Sequence, residues 1–359
     1  MQNNSEAAEM EQGVSIEQKN ALGLISLDRP KALNAFDGKM CEAIADALPG
    51  FASDPIIYAL VIRSANDRAF CAGGDVRKIV DAYRDDPSAA RALFAKEYTL
   101  NWALECFSKP TISLINGAVM GSGVGLSAFN THQVAGEKYR FAMPETLIGL
   151  FPDVGVAHVL ARLPHEMGLY LGLTGRTIGR ADAFALGLVS HCIDAHHFDD
   201  IIEQLSEAWP VDALLDERHV DPGESELLRH ALTTSHCFSA PNLEEIFERL
   251  STVSGDEAEW AAAVLQDLKL RSPTSLAITL RHIREAKQND VSQVLIRDYR
   301  LASRCLDEHD FFEGVRALLI DKDKSPRWQP SAISELDLAA LETYFAEPQS
   351  GDLVLPARE

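Results

Sequence analysis

Short apolar runs that alternate with helical segments constrain the fold of this chain more than any other feature. Strands are predicted at 22–27, in "YALVIRS" (58–64) and in "PTISLING" (110–117). Between them, "GKMCEAIADALPGF" (38–51) and "SAARALFAKEYTLNWALECF" (88–107) carry apolar residues at helical spacing. Such alternation is typical of βαβ units, so the sequence predicts an α/β fold with a parallel or mostly parallel sheet and helices outside it.

The pattern changes at about residue 200. Before that point, "THQVAGEKYRFAMPE" predicts two further short strands and "LARLPHEMGLYLGLTG" predicts a helix. Beyond it, the apolar residues recur at intervals of three and four, which indicates helices only. We therefore expect a disordered amino-terminal tail (1–14), an α/β core (15–200), a helical carboxy-terminal region (201–345) and a flexible tail (346–359).

Composition limits the partners and the compartment. The chain has 33 basic and 54 acidic residues, a net charge of −21, which argues against nucleic acid as a partner. No apolar run reaches the length of a membrane span. The six cysteines form no C-x-x-C pair, so no zinc site is expected and a reducing compartment is favoured. Because "MQNNSEAAEMEQ" resembles neither a signal nor a transit peptide, we expect a cytosolic protein.

Two glycine-rich segments follow predicted strands. Gly73 and Gly74 lie in "AFCAGGDVRKI" (69–79), and "INGAVMGSGVGLSAF" (115–129) opens a predicted helix. The first N–H groups of a helix are unpaired and lie at the positive end of its dipole, so they bind anions. Two such loops at neighbouring strand ends would form an oxyanion hole, although both segments are equally well explained as packing turns.

The spacing of these segments excludes several common motifs. There is no G-K-[ST] of a P-loop and no G-x-G-x-x-G of a dinucleotide fold. Met120 stands where a G-x-S-x-G elbow around Ser122 needs glycine, and "HEMGL" has Leu169 where a zinc protease needs its second histidine. Nucleotide hydrolysis, serine esterase and zinc protease activities are therefore not supported.

Two acids stand in rigid, apolar surroundings within "FAMPETLIGLFPDVG" (141–155). Glu145 follows Pro144, and Asp153 follows Pro152. Apolar walls raise the pKa of a carboxyl group, which suits it to general acid or base catalysis near neutral pH. The alternative is structural, with the glutamate at a helix cap and the aspartate in a turn.

Taken together, these segments resemble one family. The chain is similar, from about residue 15 to 345, to the crotonase (enoyl-CoA hydratase/isomerase) superfamily, and specifically to its 3-hydroxyisobutyryl-CoA hydrolase branch. The motifs that carry the resemblance are "LDRPKALNAF", "AFCAGGDVRKI", "NGAVMGSGVGLS" and "FAMPETLIGLFPDVG". The resemblance implies a crotonase-like spiral of ββα units, an acyl-CoA substrate, no metal and no cofactor other than the CoA of the substrate.

The resemblance also implies roles for single residues. The backbone N–H groups of Gly74 and Ser122 would hold the thioester oxygen, with Gly121 and Glu97 near the substrate. Ser122 departs from the branch, which usually has glycine there. Its N–H is retained, so the hole can survive, but the side chain adds bulk beside the thioester.

The catalytic acids follow in the same way. Glu145 matches the catalytic glutamate of the family, and Asp153 matches the acid of the hydrolase branch. Hydratases carry a second glutamate at the position of Gly125, so half of the hydratase acid/base pair is missing.

The resemblance also implies that the CoA moiety contacts Arg29, Lys31, Ala32 and Ala72. Three functions follow: hydrolysis of a short 3-hydroxyacyl-CoA, first of all 3-hydroxyisobutyryl-CoA of valine breakdown; hydration or isomerisation of an enoyl-CoA; or CoA binding without turnover. A homo-oligomer is possible, because the crotonase core often trimerises, unless the helical region covers its own core.

Overall fold

Within residues 13–358, the part of the chain that this computed structural model describes, nine strands form two sheets. They are β1 (Val14–Lys19), β2 (Leu22–Leu27), β3 (Ala59–Ser64), β4 (Ala69–Cys71), β5 (Thr111–Ile115), β6 (Ala118–Met120), β7 (His132–Ala135), β8 (Arg140–Ala142) and β9 (His191–Cys192). The tail predicted at 1–14 falls mainly on residues 1–12, which lie outside the described residues, and Val14 already begins β1.

The larger sheet has the order β1-β2-β3-β5-β7-β9. β1 and β2 form an antiparallel hairpin, and every other pair is parallel. All six residues of β2 are buried, as expected of a parallel strand covered on both faces. The predicted mostly parallel α/β fold is confirmed. The hairpin strand β1 was not predicted, because only Val14 of its polar sequence is buried.

The smaller sheet, β4-β6-β8, explains how the chain winds. β4 follows β3, β6 follows β5 and β8 follows β7, so each of these three strands of the larger sheet is succeeded at once by one of the smaller sheet and then by helical structure. This repetition is the expected spiral of ββα units. Because β4, β6 and β8 pair in parallel, their carboxyl ends point to one edge.

Helices surround the sheets and make up the carboxy-terminal region. They are α1 (Gly38–Ser53), α2 (Val76–Asp85), α3 (Pro87–Glu105), α4 (Ser122–Gly125), α5 (Val156–Leu160), α6 (Met167–Thr174), α7 (Arg180–Ala185), α8 (Phe198–Ser206), α9 (Val211–Arg218), α10 (Ala231–Phe238), α11 (Leu243–Thr252), α12 (Ala258–Lys269), α13 (Pro273–Ala286), α14 (Val291–Asp307), α15 (His309–Val315) and α16 (Leu338–Phe345). A 3₁₀ turn (Glu145–Ile148) follows β8, and a π-helical turn (Arg316–Ile320) follows α15. Among the described residues, none of the helices has the length and apolarity needed to cross a bilayer.

The last residues pack against the protein, which differs from the flexible tail expected at 346–359. Leu353 is buried, Arg300 of α14 forms an ion pair with Asp352, and the Trp102 indole N–H donates to the carbonyl of Pro356 at 2.8 Å. These contacts join residues far apart in sequence. Because residues 346–359 show no periodic apolar pattern, the sequence does not predict these contacts.

Two glycines let the carboxy-terminal region touch the turn that carries Glu145. Gly149 ends this turn with a φ of +72°, and a Cβ there would overlap the carbonyl of Asp310. In α15, a Cβ on Gly314 would overlap the backbone of Ile148. The position of Glu145 thus depends on a backbone contact that excludes any side chain.

Gly314→Ala is expected to lower the free energy of unfolding by about 1–3 kcal/mol, because the added methyl group overpacks this contact. Gly50→Ala in α1 is the matched control, since a Cβ there meets no atom within 4 Å. It should be neutral or stabilise the protein by roughly 0.5–1 kcal/mol. Urea denaturation measures both variants, and equal effects would contradict the close contact.

Candidate active site

The carboxyl ends of β4, β6 and β8 open into one cavity with a volume of about 660 Å³. The segments that follow these strands supply Ala72 to Gly74, Gly121 and Ser122, and Pro144 and Glu145. Three elements complete the wall: α3 with Glu97, the loop with Asp153, and the π-helical turn with Leu318 and Leu319. The three motif clusters found in the sequence therefore meet at one place because their strands are neighbours.

The two glycine loops approach each other closely. Gly73 and Gly121 have positive φ values of +108° and +47°, which favour glycine. A Cβ on Gly121 would lie 2.9 Å from Oε1 of Glu145 and 3.4 Å from Cα of Gly73. A Cβ on Gly74 would lie 3.0 Å from Oγ of Ser122. Bare backbone is thus required for the loops and the carboxyl group of Glu145 to meet.

The N–H groups of Gly74 and Ser122 donate no hydrogen bond to any acceptor within residues 13–358. The backbone on both sides of Gly74 is nevertheless held by hydrogen bonds. The Phe36 N–H donates to the carbonyl of Gly73 at 2.9 Å, and the Asp75 N–H donates to the carbonyl of Phe36 at 2.7 Å. Ser122 is the first residue of α4, where the N–H has no partner inside the helix. Two unpaired donors on adjoining loops are the groups that an oxyanion hole requires.

Glu145 and Asp153 are each only 6% exposed. Burial raises the pKa of Glu145 well above its usual range, and the nearby charges of Asp153 and Glu97 raise it further. Burial likewise raises the pKa of Asp153, as do Glu97 and Asp298, whereas a hydrogen bond donated by the Tyr98 hydroxyl at 2.7 Å lowers it. Because the two carboxyl groups interact, they titrate as a pair.

Glu97 is the third acid of the cavity. The residue is partly exposed, but its Oε1 is buried and has no hydrogen-bond partner in the described structure. Burial raises its pKa to about 7, against a smaller lowering by the hydroxyl group of Ser122. Carboxyl groups held partly protonated near neutral pH are suited to proton transfer.

Tyr98 is the site residue that sequence reasoning missed. The sequence places it in the apolar stripe of α3, and it is indeed fully buried. A buried tyrosine hydroxyl needs a hydrogen-bond partner, and the sequence does not indicate that this partner is Asp153, which is 55 residues away.

The predicted CoA contacts divide into two groups. Ala32 and Ala72 line the cavity, whereas Arg29 and Lys31 are not part of its wall. The Arg29 guanidinium forms ion pairs with Asp37 at 3.3 Å and with Asp75 at 3.2 Å. Arg29 thus braces the first glycine loop.

Lys31 is exposed, and the cations of the cavity wall are instead Arg77 and Lys78. Lys78 pairs with Asp37 at 2.6 Å, and Arg77 donates to the carbonyl of Leu319 in the π-helical turn.

Gly125 has no space for a side chain. A Cβ there would lie 2.7 Å from Nδ2 of Asn101 and 2.8 Å from Cβ of Val154. A carboxylate at this position is therefore excluded by the packing of α3 and of the loop after Asp153, in addition to being absent from the sequence.

The chain matches a known family and its members over almost its full length. A family model described as enoyl-CoA hydratase/isomerase matches residues 22–345. The human mitochondrial 3-hydroxyisobutyryl-CoA hydrolase is 39% identical over 363 residues, which cover 98% of this chain and 92% of that protein.

Solved structures match the fold over nearly the whole chain. A carnitinyl-CoA dehydratase from Mycobacterium thermoresistibile has a TM-score of 0.89 and 32% identity, covering 95% of this chain and 98% of its own. An enoyl-CoA hydratase from Rhodobacter sphaeroides has a TM-score of 0.88 and 33% identity, with coverage of 96% and 100%.

The names of the relatives contradict the cytosolic location expected from the amino terminus. The human, mouse and rat 3-hydroxyisobutyryl-CoA hydrolases are all named mitochondrial. The prediction was wrong because the features behind it do not distinguish one reducing compartment from another. The six cysteines are free thiols, which suits any of them.

The ββα spiral, the two unpaired amides and the buried acids occur together in a chain that matches one family over almost its full length. The chain belongs to the crotonase superfamily of enoyl-CoA hydratases and isomerases, in its 3-hydroxyisobutyryl-CoA hydrolase branch.

Proposed function

We propose that the protein hydrolyses a short 3-hydroxyacyl-CoA thioester, with 3-hydroxyisobutyryl-CoA as the preferred substrate, to the hydroxy acid and CoA. The observation that carries this proposal is the pair of unpaired amides at Gly74 and Ser122 beside the desolvated carboxyl group of Glu145. The name of the relative that shares 39% of its residues with this chain supports the same substrate.

The two amides act on the thioester carbonyl. The oxygen accepts hydrogen bonds from both N–H groups, which stabilise the negative charge that develops as the carbonyl carbon is attacked. One such donor typically contributes about 2.7–4 kcal/mol to the transition state. The positive end of the short helix α4, which begins at Ser122, acts in the same direction.

Glu145 supplies the attack by one of two routes. As a general base it takes a proton from water, whose oxygen bonds to the carbonyl carbon while the CoA thiolate leaves and is protonated. As a nucleophile its carboxylate displaces the thiolate to give a mixed anhydride, which water then hydrolyses. Both routes require ionised Glu145. Asp153 orients the 3-hydroxy group or shares the proton, and Glu97 contacts the substrate.

The hydratase alternative is weakened by the packing at Gly125. Hydration of a double bond in this superfamily uses a second glutamate there, and Asn101 and Val154 occupy the space it would need. CoA binding without turnover was favoured only if the side chain of Ser122 had blocked the oxyanion hole. This alternative is disfavoured, because the N–H groups of Ser122 and Gly74 both remain unpaired.

Glu145→Gln is expected to lower kcat for CoA release from 3-hydroxyisobutyryl-CoA by about 10²–10⁴-fold, since it removes the base or nucleophile. Release is followed with a thiol reagent. Glu248→Gln, an exposed glutamate of α11, is the control.

In the wild type, kcat/KM should rise with pH, and the midpoint of this rise should lie well above the ordinary carboxylate pKa of about 4.3. The reason is that the raised pKa keeps Glu145 protonated, and therefore inactive, at lower pH. The measurement is the thiol-release assay repeated over a pH series.

Two results would overturn the proposal. Hydration of crotonyl-CoA faster than thiol release would establish the hydratase alternative. Retained CoA binding with no turnover of any acyl-CoA in a chain-length panel would establish a binding protein.

Ser122→Pro is expected to lower kcat by about 10²–10³-fold, because proline has no N–H to donate to the oxyanion. Proline is tolerated at the first position of a helix, and Gly121 before it has no Cβ to clash with the ring. Ser122→Ala keeps the amide and is the matched control. Similar kcat values for both variants in the thiol-release assay would show that this amide is not a donor.

Glu97→Gln is expected to remove part of the pH dependence of stability. The folded-state pKa of Glu97 is raised to about 7, so between about pH 4.5 and 7 the unfolded chain binds fewer protons than the folded chain. The contribution of Glu97 to stability is therefore greatest below about pH 4.5 and is lost as the pH rises towards 7. Relative to wild type, the variant should gain roughly 1–3 kcal/mol from pH 5 to pH 8.

Urea unfolding at pH 5, 6, 7 and 8 measures this difference, with Glu248→Gln again as the control. A stability difference between Glu97→Gln and wild type that does not change with pH would refute the raised pKa.

A further inference from the structure

A buried histidine and aspartate contact each other behind the wall of the active site. His282 of α13 is 1% exposed and Asp298 of α14 is 0% exposed, and Nε2 of the histidine lies 2.6 Å from Oδ1 of the aspartate. Neither residue lines the cavity, and the proposed mechanism uses neither. Burying a carboxylate is costly unless its oxygens are satisfied, so the partner of the second oxygen indicates what Asp298 does.

That partner is the loop of the active site. Oδ2 of Asp298 accepts a hydrogen bond from the N–H of Gly155 at 2.7 Å, across 143 residues of sequence. Gly155 lies two residues after Asp153, whose carboxyl group is in the cavity. One carboxylate thus joins α13 and α14 of the carboxy-terminal region to the segment that presents Asp153.

This segment has an unusual backbone. Val154 has a φ of +55° and is 1% exposed, and Gly155 follows with a φ of +78°. A β-branched residue with positive φ is a genuine outlier, and such a conformation persists only where the surroundings hold it. The turn is closed on one side by the Val156 N–H, which donates to the carbonyl of Asp153 at 3.0 Å, and on the other by Asp298.

We propose that Asp298, oriented by His282, is a positioning residue for Asp153: it holds the strained turn 153–155 and so fixes the Asp153 carboxyl group in the cavity. This inference rests on the proposed hydrolase function, which assigns Asp153 to the reaction. Asp298 itself touches no substrate.

The charge of Asp298 has a second consequence. Asp153 is faced by groups from several elements, and Asp298 is one of the negative charges that raise its pKa, after burial and Glu97. The ionisable groups around Asp153 are Glu97 and Tyr98 of α3, Glu145 of the 3₁₀ turn, and Asp298 and Cys305 of α14, with His282 behind Asp298. Removing the Asp298 charge favours ionisation of the coupled Glu145 and Asp153 pair, so the acid limb of kcat/KM moves to lower pH.

Asp298→Asn and Asp298→Ala test the proposal in the full-length protein with 3-hydroxyisobutyryl-CoA. The asparagine keeps an oxygen for the Gly155 N–H but loses the charge, so its acid limb should shift to lower pH while kcat at the plateau stays within threefold of wild type. The alanine loses the anchor as well, so kcat should fall at least tenfold while KM changes less than threefold. Rescue by asparagine separates anchoring from simple core filling.

Asp182→Asn is the matched control. Asp182 also accepts from a backbone N–H, that of Leu227 at 2.9 Å, and from the Ser225 hydroxyl, and it does not line the cavity. This variant should leave both the acid limb and kcat unchanged. Wild-type kcat and an unshifted acid limb in folded Asp298→Asn and Asp298→Ala would overturn the proposal.

A measurement on the wild type covers the case in which the Asp298 variants do not fold. Hydrogen exchange of the Gly155 amide should be as slow as that of the amides in the middle of α14, because its acceptor is fully buried. Exchange as fast as that of an open loop would overturn the anchoring role. Failure of the wild type to release thiol would refute the hydrolase function instead, so the two failures are distinguishable.

Discussion

The parallel register of three very short strands is the constraint on which the active site depends. β6 pairs in regular register with β8, from Ala118 opposite Arg140 to Met120 opposite Ala142, whereas its pairing with β4 includes a one-residue irregularity between Ala69 and Cys71. Neighbouring strands lie about 4.8 Å apart, so loops that leave aligned ends start within reach of one oxygen atom. A shift of one residue would turn the side chains to the opposite face and move the loops out of alignment. The glycines preserve this proximity, since side chains at Gly121 or Gly125 would separate the elements.

Burial of the three acids suits them to proton transfer and at the same time lowers the stability of the folded protein. Burial raises the pKa of Glu97, Glu145 and Asp153 in a protein that already carries a net charge of −21. Three carboxyl groups at one site repel one another when ionised, and their burial removes much of the solvation that would offset this repulsion. Ionisation of these groups near neutral pH therefore lowers the stability of the fold. The same raised pKa values suit the groups to the proposed proton transfer.

Whether a feature of this protein could be predicted from the sequence depends on how many consecutive residues carry its pattern. The central strands of the larger sheet and the long helices were predictable, because β2 is a continuous apolar run and α14 is long enough to show its helical period. β4 and β6 have three residues each and show no period, yet the glycines that follow them are visible in the sequence and line the cavity. The sequence pattern places Tyr98 in the core and does not show its role in the site, since its hydroxyl partner Asp153 is 55 residues away. The ion pairs of Arg29 could not be predicted either, because Asp37 and Asp75 are brought to it only by the folded loop.

The carboxy-terminal region is part of the active site and more than a cover for the core. Its π-helical turn supplies Leu318 and Leu319 to the cavity wall, α15 contacts the turn of Glu145 at Gly314, and α14 holds the loop of Asp153 through Asp298. A π-helical turn is often found at functional sites, and here its Leu319 carbonyl accepts a hydrogen bond from Arg77, next to the first glycine loop. The strand ends therefore carry the two amides proposed as oxyanion donors, whereas helices from the far end of the chain contact the segments of Glu145 and Asp153.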